Sequence, residues 1–125
     1  MSELIAIAVG GALGALSRYW LTEFANVIFG TDFPYGILII NITGSFAIGL
    51  VFIMVVERDL FPVVLSAGLM VGFLGAFTTF STFSIQAVGL IETERFIAAV
   101  LYIIGSVVLC IVAAAAGVFI ARLLP

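Results

Sequence analysis

Four long apolar segments, separated by short polar loops, account for almost the whole chain. They cover roughly residues 4–21, 35–56, 62–91 and 96–121, and a helix needs about 20 apolar residues to cross the hydrocarbon core of a bilayer. Hydrophobic residues make up 65% of the 125 positions, charged residues only 9%, and the mean hydropathy is +1.44, far above that of soluble domains. The sequence therefore predicts an all-α, multi-pass membrane protein with one four-helix domain, residues 1–125, in a lipid bilayer.

The loops and the scarce reactive side chains exclude most other classes. The segments "GTDFP", "ERDLFP" and "ETER" are short and turn-prone, so we expect helical hairpins with no soluble domain between them. The first segment lacks a basic leader region and a cleavage site, which indicates a retained helix. Cys110 is the only cysteine and there is no histidine, so we expect Cys110 to be a packing residue. No catalytic motif or phosphate-binding loop is present, and an enzyme is not expected.

The four basic residues are all arginines and are evenly divided between the two ends of the predicted bundle. In a four-span chain, Arg58 and Arg122 lie on the side of the N-terminus, and Arg18 and Arg95 lie on the opposite side. Arginine and lysine in short loops set the orientation of a membrane protein, so this balance favours dual topology and an antiparallel homodimer. Alternatively, the N-terminal amine or the acidic loops fix one orientation. Four arginines provide no basic patch for nucleic acid.

Every apolar segment carries small residues at a spacing of four. Helices in lipid associate where small residues permit close backbone approach. The rows indicate tight packing, either between the helices of one chain or between two chains. They are Gly10 and Gly14, Ser45 and Gly49, Gly68, Gly72 and Ala76, and Ala113 and Gly117.

The third segment is too long for a straight helix and contains the stretch "GFLGAFTTFSTFS", residues 72–84. A continuous helix of about 30 residues would span ~45 Å, against a hydrocarbon core of ~30 Å. Glycines and β-branched threonines lower the helix propensity near its middle, so we expect a break within residues 75–81. Carbonyls beside broken membrane helices commonly bind Na⁺. Alternatively, the hydroxyls bond to the preceding turn and only bend the helix.

Polar side chains at membrane depth favour a pathway for an ion or a substrate. Asn41 lies midway along the second segment, and Tyr102, Ser106 and Cys110 form a stripe along the fourth. Such groups are costly in lipid and tend to be functional. Phe80 and Phe83 are three residues apart and share one helix face beyond the expected break, and ordinary core packing is the alternative interpretation of the pair.

The types of polar group favour an anion over a cation. A proton or cation route usually uses a carboxylate at mid-membrane depth, and amides, hydroxyls, Arg18 and the positive edges of aromatic rings are instead suited to an anion. All seven acidic residues are expected near segment ends: Glu3, Glu23, Asp32, Glu57, Asp59, Glu92 and Glu94.

Three stretches closely resemble the Fluc/CrcB fluoride channels of bacteria. They are "GGALGALSRYW" at residues 10–20, "NITGSFAIG" at 41–49 and "GFLGAFTTFSTFS" at 72–84, and the resemblance covers the full length. It implies a channel that passively exports fluoride across the inner membrane. It also implies an antiparallel, dual-topology homodimer with two fluoride pores and one central sodium ion.

The resemblance also assigns roles to individual residues. It implies sodium binding by the backbone carbonyls of Gly75 and Thr78. In three positions the chain departs from the family pattern, with Cys110 and Ala114 in place of hydroxyl residues and Gln86 in place of a carboxylate. We expect these changes to affect rate and fine selectivity. The fluoride pathway implied by the resemblance and by the polar stripe comprises Asn41, Phe80, Phe83, Ser81, Thr82, Ser106, Arg18 and Tyr102.

Two other function classes fit the size of the chain. A small four-helix multidrug-type transporter can share the dual topology, but it needs a glutamate within the membrane, and Glu3 is at the terminus. A non-conducting scaffold subunit would explain the small-residue rows. A proton-coupled dye-efflux assay tests the transporter, and ion flux from reconstituted vesicles tests the scaffold, because a scaffold gives none.

Overall fold

The computed structural model describes all 125 residues and contains helices but no strands. Four helical spans are long and apolar enough to cross a membrane, and we number them in chain order: Ser2–Phe29, Tyr35–Glu57, Val63–Glu92 and Phe96–Leu123. The predictions of an all-helical protein and of four membrane-spanning helices are therefore confirmed.

The second and third spans change their helical type along their length. Turns of the wider π-helix occur in both, and such turns often mark functional positions. The elements are α1 (Ser2–Phe29), α2 (Tyr35–Phe52) continued by the π-helix Ile53–Glu57, α3 (Val63–Ser66), the π-helix Ala67–Leu74, α4 (Gly75–Phe77), α5 (Phe80–Glu92) and α6 (Phe96–Leu123).

Helix α1 continues through residues 22–29, beyond the expected end of the first apolar segment at residue 21. No glycine or proline interrupts "TEFANVIF", and the helix ends at Gly30, whose φ of 77° is readily adopted by glycine. The Gly30 N–H donates to the carbonyl of Asn26 at 2.9 Å. Arg18 and Glu23 therefore lie within the helix, whereas the apolar pattern places them at its end.

Glycines let span 1 pack directly on the backbone of span 3. A Cβ at Gly10 would overlap the carbonyl oxygen of Gly68, and a Cβ at Gly14 would overlap that of Phe73. A Cβ at Gly72 would lie 2.7 Å from the Ile7 carbonyl oxygen. This row of small residues is thus used within one chain.

The second close contact joins α2 to α6. A Cβ at Gly49 would overlap the carbonyl oxygen of Ala114, and a Cβ at Gly117 would overlap that of Phe46. Close backbone contact of this kind stabilises the helix pair by van der Waals packing, because no hydrophobic driving force acts between helices in lipid. Most of the small-residue rows therefore pack against other helices of the same chain. They give little independent support for association between chains.

A compact apolar cluster joins α5 to α2 and α6, close to the loop that follows span 3. Elsewhere most large apolar side chains are exposed, and only 21 of the 125 residues are buried, as suits a protein whose surroundings are hydrocarbon. The buried members of the cluster are Ile37, Phe83, Ala87, Leu90, Ala99 and Tyr102.

Arginines connect the chain at both ends of the bundle. At the end that carries the N-terminus, Arg122 forms an ion pair with Glu57, and Arg58 Nη2 donates to the Leu124 carbonyl at 2.7 Å. At the other end Arg95 donates to the carbonyl of Asp32. These contacts fix the loop after span 2 to the end of span 4, and the loop after span 1 to the start of span 4.

Candidate functional site

Two residues with extended backbone separate α4 from α5. Thr78 has φ −82° and ψ 157°, and Thr79 has φ −152° and ψ 120°. The Thr79 hydroxyl caps α5 by accepting a hydrogen bond from the N–H of Thr82 at 3.2 Å, a role for which threonine is well suited. Helix α5 then begins at Phe80.

The Asn41 side chain holds this extended segment from the opposite span. Its Nδ2 donates to the Thr79 carbonyl at 2.9 Å, and its Oδ1 accepts from the Thr79 N–H at 2.8 Å. The amide thus satisfies both backbone polar groups of one non-helical residue, which would be costly to leave unpaired in hydrocarbon. One Nδ2 hydrogen remains available for another acceptor.

The same arrangement leaves two carbonyls without hydrogen bonds. In a continuous helix the N–H of Thr79 would donate to the Gly75 carbonyl, and that of Thr82 to the Thr78 carbonyl. Here both N–H groups donate to side chains instead, and neither carbonyl accepts another hydrogen bond. Unpaired carbonyl oxygens are ligands for hard cations.

A cleft of about 420 Å³ opens beside this segment, between spans 2, 3 and 4. It brings together six residues that the sequence assigned to the fluoride pathway or to sodium: Asn41, Gly75, Thr78, Phe80, Phe83 and Ser106. Its other lining residues are Gly44, Ser45, Ile48, Met70, Leu74, Thr79, Val107, Cys110 and Ile111.

The cleft offers donors and ring edges, and no carboxylate lines it. The Ser106 hydroxyl is buried and has no hydrogen-bond partner, so its proton is free for a ligand. The rings of Phe80 and Phe83 lie 5.3 Å apart with planes inclined at 48°. Phe83 is buried, whereas Phe80 is 75% exposed.

Tyr102 connects this cleft to a second cavity. Its hydroxyl donates to Gln86 Oε1 at 2.7 Å, and its ring lies 5.1 Å from that of Phe83. Gln86 lines a cavity of about 420 Å³ at the end of the bundle that carries the loops after spans 1 and 3. The other residues of that cavity are Asn26, Thr31, Asp32, Phe33, Pro34, Gly89, Leu90, Thr93 and Arg95.

Besides Tyr102, three of the assigned residues do not line the first cleft. Ser81 is exposed, and its Oγ lies 3.3 Å from Thr79 Oγ1. Thr82 accepts a hydrogen bond from the Thr79 hydroxyl at 3.1 Å. Arg18 lies in α1, where its carbonyl accepts a hydrogen bond from the Thr22 hydroxyl.

The sequence interpretation missed the central position of Thr79 and the contribution of Met70. Threonine immediately before an amphipathic helix is a capping pattern, which could have identified Thr79. No pattern indicates Met70, because its position depends on the π-helix Ala67–Leu74. Cys110, expected to be a packing residue, is half-buried on the wall of the cleft. No group of three or more cysteine or acidic side chains forms a metal cluster.

Comparison with known proteins identifies the family of the chain. Residues 5–118 match the family described as CrcB-like protein, Camphor Resistance (CrcB). The chain is 44% identical over 122 residues to a protein of Hahella chejuensis named fluoride-specific ion channel FluC, with 98% of this chain and 96% of the relative covered. Proteins of the same name from Citrifermentans bemidjiense and Geobacter sulfurreducens are 42% and 43% identical, over 99% and 98% of this chain and 100% and 98% of their own lengths. The protein therefore belongs to the CrcB family.

Proposed function

We propose that the protein is a fluoride-selective channel that lets fluoride leave the cell passively across the inner membrane. The observation that carries this proposal is the cleft in which a free hydroxyl, Ser106, lies with Phe80 and Phe83 and without any carboxylate. The relatives named fluoride-specific ion channels support the choice of anion. Membership in this family also confirms the prediction that the chain is not an enzyme.

The donor groups of the cleft are suited to a small, strongly hydrated anion. The Ser106 O–H, the second Nδ2 hydrogen of Asn41 and the positive ring edge of Phe83 replace part of the water shell. None of them carries a full positive charge, so the anion is bound weakly enough to leave again. A narrow path of such groups lacks room for a larger anion.

The route proposed for fluoride runs from the first cleft past Phe83 and Tyr102 to the cavity at Gln86. Tyr102 touches the groups on both sides, through its ring and through its hydroxyl. Ser81 and Thr82 extend the row of hydroxyls along α5. Arg18 and Arg95 attract anions toward the membrane surface by their charge.

We further propose that Gly75 and Thr78 bind a structural sodium ion through their carbonyl oxygens. The residues fit this role, because both carbonyls lack hydrogen bonds and both residues line the cleft. Sodium would supply positive charge to carbonyl dipoles that the surrounding protein leaves unpaired. Two oxygens are too few for a hard cation, and a two-fold axis through the ion would provide four.

This requirement supports an antiparallel homodimer with two pores as the functional unit. Phe80 is largely exposed beside the cleft, which fits a side chain that completes its surroundings on a second copy. The balanced arginines permit both orientations. In such a dimer each copy would contribute one cleft.

The experiment that tests the function is fluoride efflux from proteoliposomes, measured with a fluoride electrode and compared with chloride efflux. We expect rapid release of fluoride and little release of chloride. Equal rates for the two anions would refute fluoride selectivity. The absence of any flux would favour the non-conducting scaffold.

A further inference from the structure

Two sulfur-containing residues line the cleft, and they come from different spans. The Cys110 thiol belongs to α6, and the Met70 thioether belongs to the π-helix Ala67–Leu74. Cys110 is the only cysteine of the chain and is not disulfide-bonded. The other methionines, Met1 and Met54, do not line the cleft. The cleft is therefore lined by the residues of spans 3 and 4 that carry soft ligand atoms.

A second, independent feature of the same wall indicates that something other than protein occupies this space. Ser106 lies one helical turn before Cys110 and lines the cleft. Only 5% of its surface is exposed. Its Oγ has no hydrogen-bond partner within the protein. A buried hydroxyl left unpaired is costly, so water or a ligand is expected beside it.

The ligand types select the kind of cation that this wall can bind. Thiolate and thioether sulfurs prefer soft metal ions, of which Cu(I) is the biological example. The cleft offers no carboxylate and the chain has no histidine, so a four-ligand zinc site is not formed. Soft monovalent ions accept coordination by as few as two donors, and Cys110 and Met70 both line the cleft.

We propose that Cys110, assisted by Met70, binds a soft monovalent cation of the Cu(I) and Ag(I) class in the cleft. In this step a bond forms between the cation and the Cys110 sulfur, the S–H bond breaks, and its proton passes to water. Met70 contributes a sulfur lone pair and loses no bond. No oxidant or reductant is required.

Occupancy of this site closes the cleft to fluoride, a consequence that rests on the proposed function. The cation lies on the wall shared with Ser106 and Phe83. It displaces water from the Ser106 hydroxyl and fills space beside the anion route with a metal thiolate that carries no net charge. Fluoride is then obstructed, and its flux falls.

The binding step is tested on the full-length protein in detergent, titrated with silver nitrate in a chloride-free buffer. We expect one silver ion bound and one proton released per chain, measured by calorimetry and by pH. Cys110→Ser should abolish both signals. Met70→Leu should weaken binding at least about tenfold, because one soft donor is lost. Met54→Leu, which removes a thioether outside the cleft, is the matched control and should bind as the wild type does.

Equal silver binding by the wild type and by Cys110→Ser would overturn the proposed site. Equal affinity of Met70→Leu and the wild type would overturn the role of Met70.

The closing step is tested by fluoride efflux from proteoliposomes, each variant being compared with its own flux without silver. We expect silver to lower wild-type flux at least about tenfold and to leave the flux of Cys110→Ser unaffected. Silver bound at Cys110 with undiminished flux would overturn the closing step. If the wild type releases no fluoride at all, the proposed function fails, whereas the titration in detergent still decides whether the cation site exists.

Discussion

In the proposed channel, a single side chain can both hold the backbone and offer a polar group to the cleft. Asn41 is the clearest case, because its amide pairs with both backbone groups of Thr79 and still has one hydrogen for an acceptor in the cleft. Ser106 is the opposite case, since nothing in the chain uses its hydroxyl. A substitution at Asn41 should therefore affect structure and conduction together.

We predict that Asn41→Asp abolishes fluoride flux and lowers stability. The carboxylate would place an oxygen against the Thr79 carbonyl, where the amide now donates, and would add negative charge to an anion route. Losing this buried hydrogen bond costs about 1–3 kcal/mol, measurable as a lower midpoint of thermal unfolding. Thr43→Val is the control on the same helix, because the Thr43 hydroxyl bonds only to its own helix. Normal flux through Asn41→Asp would show that this amide contributes only to packing.

The sequence revealed which residue types matter here but not how they are paired. Asparagine, serine and tyrosine at membrane depth indicate a polar pathway by their cost alone. The partner of Asn41 is 38 positions away along the chain, so the pairing depends on how spans 2 and 3 pack. The same is true of Tyr102 and Gln86, which lie on different helices.

At the scale of elements, the close packing of helices and the interruption of span 3 have separate causes. Glycines determine the first, because Gly49 and Gly117 let α2 and α6 approach until backbone meets backbone. Low helix propensity determines the second, and the interval 75–81 favoured by the sequence contains the extended residues Thr78 and Thr79. The π-helix Ala67–Leu74 was not predictable, since no residue pattern distinguishes it from an α-helix.

We predict that a valine at Gly75 leaves the chain folded, whereas a valine at Gly49 does not. A Cβ at Gly75 would lie 3.6 Å from the Met70 carbonyl oxygen, an ordinary contact, and Gly75 is exposed on the cleft. Gly75→Val should keep helix content by circular dichroism but lose the dimer and the flux. Gly49→Val would drive side-chain atoms into the Ala114 carbonyl, so the folded chain itself should be lost.

Size-exclusion chromatography with cross-linking distinguishes these two outcomes. If Gly75→Val remained a conducting dimer, Gly75 would lie neither at a sodium site nor at an interface between chains.

At the scale of the whole molecule, the proposed antiparallel assembly depends on the distribution of arginine. Arg58 and Arg122 are fixed at the end that carries the N-terminus, through the Leu124 carbonyl and Glu57. Arg95 is fixed at the other end through Asp32, and Arg18 lies within span 1. The chain therefore has no strong charge asymmetry, and one added arginine should be enough to change the balance.

We predict that Glu92→Arg and Glu3→Arg bias insertion in opposite directions. Both residues are exposed and lie at opposite ends of the bundle. Each variant expressed alone should insert mainly one way, as reported by C-terminal fusions, and should conduct little fluoride because antiparallel partners are scarce. Coexpression should restore both orientations and the flux. Glu92→Gln and Glu3→Gln remove the same charges without adding arginine and should behave as the wild type does. Full conduction by either arginine variant expressed alone, with its orientation verified as uniform, would disprove the antiparallel dimer and leave a parallel or single-chain channel.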